Sequence, residues 1–215
     1  MYVEASIPAR PLLRGRLHQV AFLLSLPALV WLVESAASPR ARAAAWVYGI
    51  ASALLYLTSS SYHVFAKSPR ARRIMQRADH SMIFVLIAGT FTPIAVLAVP
   101  DPWKWPALAF MWTGAVAGVA LKVLALDRYP RLGGAMYIVL GWAGVAVLPS
   151  LWHRPHTLWL IAAGGLLYTV GAYLFATHRA DLSPRIFGYH EVWHAFGIAA
   201  GAILYAANLG LVRAG

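Results

Sequence analysis

The sequence has no cysteine and few charged side chains. Asp, Glu, Lys and Arg make up 12% of its 215 residues, against about 25% in an ordinary soluble domain, while 60% are hydrophobic. The missing cysteines exclude disulfides, thiolate metal sites, iron–sulfur ligation and a cysteine nucleophile. They carry no message about redox compartment, because a membrane-embedded fold needs no disulfide. The missing charges exclude a water-facing surface, since so little polar matter cannot cover a globule of this size. Acids are the scarcest: 7 Asp plus Glu stand against 18 Lys plus Arg, a formal net charge of +11. That balance does not make a nucleic-acid binder. The basic residues fall in short clusters between apolar runs and form no charged groove.

In place of charge there are seven apolar stretches, at about residues 17–37, 43–65, 78–99, 105–126, 133–149, 157–177 and 192–212. About 20 helical residues at 1.5 Å each cover the roughly 30 Å of a hydrocarbon core, so each stretch can cross once, the short fifth being the least secure. The reading is an all-α membrane protein, a seven-transmembrane-helix bundle that forms a single transmembrane domain over residues 1–215. Breakers mark the joints: Ser38-Pro39 closing the first span, Ser68-Pro69 after the second, Pro100-Asp101-Pro102 after the third, then Pro130 with Gly133-Gly134, Pro149, Pro155 and Ser183-Pro184. Arg10, Arg14 and Arg16 lead into the first span without a small-residue cleavage pattern, so no cleaved signal peptide is expected.

With an internal N-terminus, thirteen of the eighteen Lys and Arg fall on the inner side. The excess of inward positive charge therefore predicts a cytoplasmic N-terminus and an outer C-terminus, in the inner or plasma membrane of the cell. The net positive charge is then a matter of topology and of attraction to anionic inner-leaflet lipids. Membrane lipids are the expected partners; the sequence specifies no soluble protein partner. Trp31, Trp46, Trp103, Trp105, Trp152 and Trp159 fall near outer span ends, where amphipathic rings anchor at an interface.

Ionisable groups at membrane depth are costly, so those that remain need partners or a task. Ser59 and His63 end span two, Asp79 and His80 open span three, and His190-Glu191-Val192-Trp193-His194 opens span seven. Residues at i and i+4 share a helix face, so Ser59 pairs with His63 and His190 with His194. The topology brings all three clusters to one level near the cytoplasmic surface. His63, His190 and His194 can supply three nitrogens of a tetrahedral Zn²⁺ site whose open position holds water. Asp79 is the candidate to orient that water or accept its proton, and Ser59 a hydrogen-bonding neighbour. His80 is the alternative ligand.

Two roles are open to Glu191. The pattern His-Glu-x-x-His is that of zinc peptidases, in which the Glu is general base, yet Glu191 lies about 100° around the helix from His190. At the helix entrance its charge suits the N-terminal dipole instead. Gly89-Thr90-Phe91-Thr92-Pro93 sits mid-span, where Pro removes a ladder bond and Thr hydroxyls can re-satisfy carbonyls. Gly114 and Gly118, and Gly197 and Gly201, have the spacing that lets helices approach closely. Lys122 is expected to snorkel to the inner surface, where it can meet a lipid headgroup. His18, His153, His156 and His178 lack a partner at helical spacing and are read as interfacial.

Ser59-x-x-x-His63, Asp79, the Gly89–Pro93 segment, Lys122 and His190-x-x-x-His194 together resemble the haemolysin III branch of the progestin and adipoQ receptor family, from about Arg14 to Leu211. The resemblance implies seven transmembrane helices, an internal N-terminus and a zinc ion near the cytoplasmic side held by His63, His190 and His194, with Ser59 and Asp79 close by. It also implies kinship with alkaline ceramidases. The leading expectation is a zinc-dependent hydrolase of a lipid amide or ester bond, the lipid entering between helices and a free fatty acid being one product. The alternatives are a non-enzymatic lipid receptor or sensor stapled by structural zinc, a pore-forming haemolysin, and an intramembrane peptidase acting through Glu191.

Overall fold

A helix start is defined by a side chain that takes the first free backbone N–H groups, and by proline where no N–H is needed. The Ser-Pro pairs of this chain do both. The computed structural model describes residues 11–125 and 128–215, apart from the side chains of 130 and 131. Arg10, Leu126, and the Pro130 and Arg131 side chains lie outside the described residues. The helices are α1 (Arg16–Glu34), α2 (Pro39–Phe65), α3 (Pro69–Ala98), α4 (Lys104–Ala125), α5 (Pro130–Ala143), α6 (Pro155–Thr177) and α7 (Tyr189–Ala214), with a 3₁₀ segment, Gly144–Leu151, continuing α5. The Ser38 hydroxyl accepts the Ala41 N–H at 3.1 Å, and Ser68 accepts that of Ala71 at 3.1 Å. Both pairs therefore open a helix where the sequence suggested the close of the one before. The basic run Arg70–Arg77 is accordingly helical, and α3 reaches 30 residues.

Seven helices among the described residues are long and apolar enough to cross a membrane, the fifth being the composite Leu132–Leu151. The protein is a multi-pass membrane protein. Its outer surface agrees, with Leu23, Leu24, Phe110, Val116, Val139 and Leu166 all exposed. Such side chains gain nothing from leaving lipid, so association rests on close packing. α3 lies at the centre, against α2, α4, α5 and α7. One packed cluster joins Leu32, Ala45, Tyr48, Leu55, Leu86 and Val212; a second joins Phe84, Ala88, Phe91, Met111, Ala115 and Leu140. Gly118 lies against the Phe84 ring so closely that a Cβ there would collide with it, which is the close approach its spacing predicted. Thr92 donates to the Ala88 carbonyl at 2.8 Å and accepts the Trp112 indole N–H at 3.1 Å, tying α3 to α4 beside Pro93. α6 leans on α7 and meets α5 only sparingly.

Alternation of the seven helices brings the end of α2 and the starts of α1, α3 and α7 to one end of the bundle. The six tryptophans singled out above are exposed and belong to the opposite end.

Candidate metal centre

His63 lies in the last turn of α2, and His190 and His194 occupy successive turns at the start of α7. These three residues each offer one ligand atom, and all three atoms lie within 4.8 Å of one another. The Nε2 atoms of His63 and His190 are 3.2 Å apart. With metal–nitrogen bonds of about 2.0–2.1 Å, two ligands on a tetrahedral ion stand about 3.3 Å apart, so this spacing fits Zn²⁺. The donor chemistry fits as well: imidazole suits zinc, and the buried setting of His63 and His194 holds their rings in place. The cluster can coordinate a metal ion.

Asp79 lies on α3 with Oδ2 3.9 Å from His63 Nε2, its side chain 13% exposed. The buried Ser59, one turn before His63, directs its hydroxyl at the Asp79 carboxylate, where an O–H donates. His80 does not join the three converging histidines. Its backbone carbonyl accepts the Tyr137 hydroxyl at 2.7 Å, while its buried Nδ1 has no hydrogen-bond partner among the described residues. Lys122 is buried at the same end of the bundle, its Nζ 5.1 Å from the centre of the Tyr137 ring.

Glu191 is almost completely buried, and both its oxygens are engaged. Oε1 accepts from the Arg14 guanidinium at 2.5 Å, and Oε2 accepts the Gly188 N–H at 2.9 Å, capping α7. Arg14 belongs to a short strap ahead of α1. Leu12 and Leu13 donate backbone N–H groups to the carbonyls of Arg185 and Ile186, at 3.0 and 3.2 Å. Gly15 then turns the chain into α1 with a φ of 78°, the left-handed region that favours glycine, and a Cβ there would meet His63 Cβ at 2.6 Å. Backbone thus lies directly on a metal-ligand candidate. By sequence, Arg14 reads only as a topological charge.

His18 is the second departure. Read as interfacial, it is instead 6% exposed, with its ring stacked on that of His194 at a centroid distance of 3.9 Å and an interplanar angle of 13°. Its contact runs between the first and last helices, so no spacing along the chain could announce it. Phe175 on α6 meets His190 edge to face at 5.2 Å.

The pattern of proteins described as "Haemolysin-III related" matches residues 8–205. This chain belongs to that family. Within the haemolysin-III family, it is 32% identical to Hemolysin-3 of Bacillus cereus over 193 residues, covering 87% of this chain and 85% of the relative. It is 30% identical to the Hemolysin-3 homolog of Bacillus subtilis (strain 168) over 196 residues, 87% of each chain. Monocyte to macrophage differentiation factor of Homo sapiens is similar at 25% identity over 167 residues, 76% of this chain and 68% of the relative.

Proposed function

We propose that this haemolysin-III protein is a zinc-dependent hydrolase of a lipid amide or ester bond. The observation that carries the reading is a carboxylate, Asp79, 3.9 Å from His63 at the edge of three converging imidazoles, in a bundle whose surroundings are lipid. Asp79 takes the proton of the attacking water and returns it to the leaving group, within reach of the reacting atoms. Ser59 donates to the Asp79 carboxylate and fixes its orientation. When bound by His63, His190 and His194, Zn²⁺ supplies Lewis acidity, which polarises a carbonyl and makes water nucleophilic at neutral pH.

The lipid enters sideways at the sparingly packed seam between α5 and α6, and its chain lies among apolar side chains. Lys122, over the Tyr137 ring, meets an anionic headgroup. Glu191, with both oxygens committed, serves as cap and counter-ion in this scheme. The kinship with alkaline ceramidases that the resemblance to the haemolysin III branch implies favours the same assignment. The thirteen inward bases support a cytoplasmic N-terminus, an outer C-terminus and a metal centre on the cytoplasmic side of one transmembrane domain.

The test uses protein purified in lipid, with metal measured by elemental analysis and hydrolysis measured on a broad panel of ceramides, N-acyl lipids and lipid esters. Wild type should hold one zinc and release fatty acid, and Asp79→Ala should keep the metal while hydrolysis falls about 10²- to 10⁴-fold. Zinc bound by wild type with no lipid of the panel cleaved would end the hydrolase reading. A receptor stapled by zinc would then be left.

A further inference from the structure

Three histidines from α2 and α7 converge, but a fourth imidazole stands against them. His18 enters from the third residue of α1, buried, and lies nearly parallel to His194 with ring centres 3.9 Å apart. Tyr56 on α2 also meets the His18 ring, edge to face at 5.2 Å. A ring nitrogen's lone pair lies in the plane of its own ring. Two ring planes inclined by only 13°, with centres 3.9 Å apart, meet only well beyond the length of a metal–nitrogen bond. His18 and His194 therefore cannot both ligate one ion in this arrangement. What the His18 face can do is hold the plane of the His194 ring, and with it the direction of the nitrogen that faces His63 and His190.

The geometry points to His18 as a positioning residue for the metal centre, holding the plane of the His194 ring from the side of α1. This rests on reading His63, His190 and His194 as metal ligands. Two physical effects make the clamp matter to affinity. A ring held in its binding orientation loses no freedom when the ion arrives. Coordination to a dication also draws electron density out of the ligand ring, and an electron-poor ring is attracted to the π face of a neutral aromatic neighbour. Both effects favour the loaded state over the empty one. Residues that orient metal ligands in this way typically change affinity by about 10- to 100-fold when removed.

The experiment compares full-length wild type, His18→Ala, His18→Phe and His63→Ala in lipid or detergent, stripped of metal with a chelator. Zn²⁺ affinity is measured by competition with a fluorescent chelator, Co²⁺ absorption reports the ligand field, and thermal unfolding is followed on the metal-free proteins. His18→Ala should weaken Zn²⁺ binding about tenfold and alter the Co²⁺ band shape, while His18→Phe, which keeps a flat face, should stay within about threefold of wild type with the wild-type spectrum. Affinity unchanged in His18→Ala, whatever happens to its unfolding temperature, would overturn the clamp and leave simple packing. Equal losses in His18→Ala and His18→Phe would overturn it in favour of a role for the imidazole nitrogens. Failure of the metal reading looks different: wild type would bind no Zn²⁺, or His63→Ala would bind it as well as wild type, and the clamp would fall with it.

Discussion

Asp79 and Glu191 are both carboxylates at the histidine end of the bundle, yet their neighbours set them apart. Glu191 is committed on each oxygen, to Arg14 and to the Gly188 N–H, whereas Asp79 faces His63 and Ser59. Glu191→Gln should therefore lower the unfolding temperature while leaving hydrolysis per folded molecule within a few-fold of wild type. Asp79→Asn should do the opposite, with melting nearly unchanged and turnover reduced about 10²-fold or more. Measuring both quantities on both variants separates a cap from a proton acceptor. The three ligand candidates were legible because i, i+4 spacing and depth at a span end are properties of one helix at a time. His18 was not, because its partner lies on the last helix, and Arg14 was not, because a charge before a span reads as topology whether or not it turns inward.

At the level of elements, the strap of residues 11–15 is stapled to α7 by the pair of half-buried Arg14 and buried Glu191 and set against α2 by Gly15. Removing Arg14 leaves the buried Glu191 carboxylate uncompensated, so Arg14→Ala should destabilise the protein by up to about 3 kcal/mol, measured by denaturant unfolding in detergent. Replacing Arg14 and Glu191 together by Met and Leu should recover much of that loss. Gly15→Ala should also destabilise, since both the left-handed backbone and His63 stand in the way of a methyl group. Element number was legible from apolar length, but element ends were less so. A Ser-Pro pair punctuates the chain equally well before or after a helix, and only the hydroxyl's acceptance of the Ala41 or Ala71 N–H decides which. The fifth span read as short because Pro149, which carries no backbone donor, marks a turn in the sequence, whereas the chain winds through it as a 3₁₀ helix to Leu151.

For the molecule as a whole, the histidines draw on α2 and α7, with α1 stacked behind and α3 supplying Asp79. A bound ion should then stabilise the entire bundle. With free metal about a thousandfold above its dissociation constant the gain is about 4 kcal/mol, so chelation should lower the unfolding temperature by roughly 10 °C. A melt that ignores the chelator would argue against a ligand set shared between helices. Reporter fusions at the two ends should place the N-terminus in the cytoplasm and the C-terminus outside. Arg14 and Glu191 are separated by 177 positions in the chain. At about 5–20 residues per second, a ribosome needs roughly 10 to 35 seconds to bridge that interval. During it the newborn first six helices hold an unanswered guanidinium and a single ligand histidine, and only insertion of the last helix delivers the carboxylate and the other two imidazoles at once. On the proposed ligand set, metal capture would wait for the last helix, and chains that stop before it would lack two of the three imidazoles.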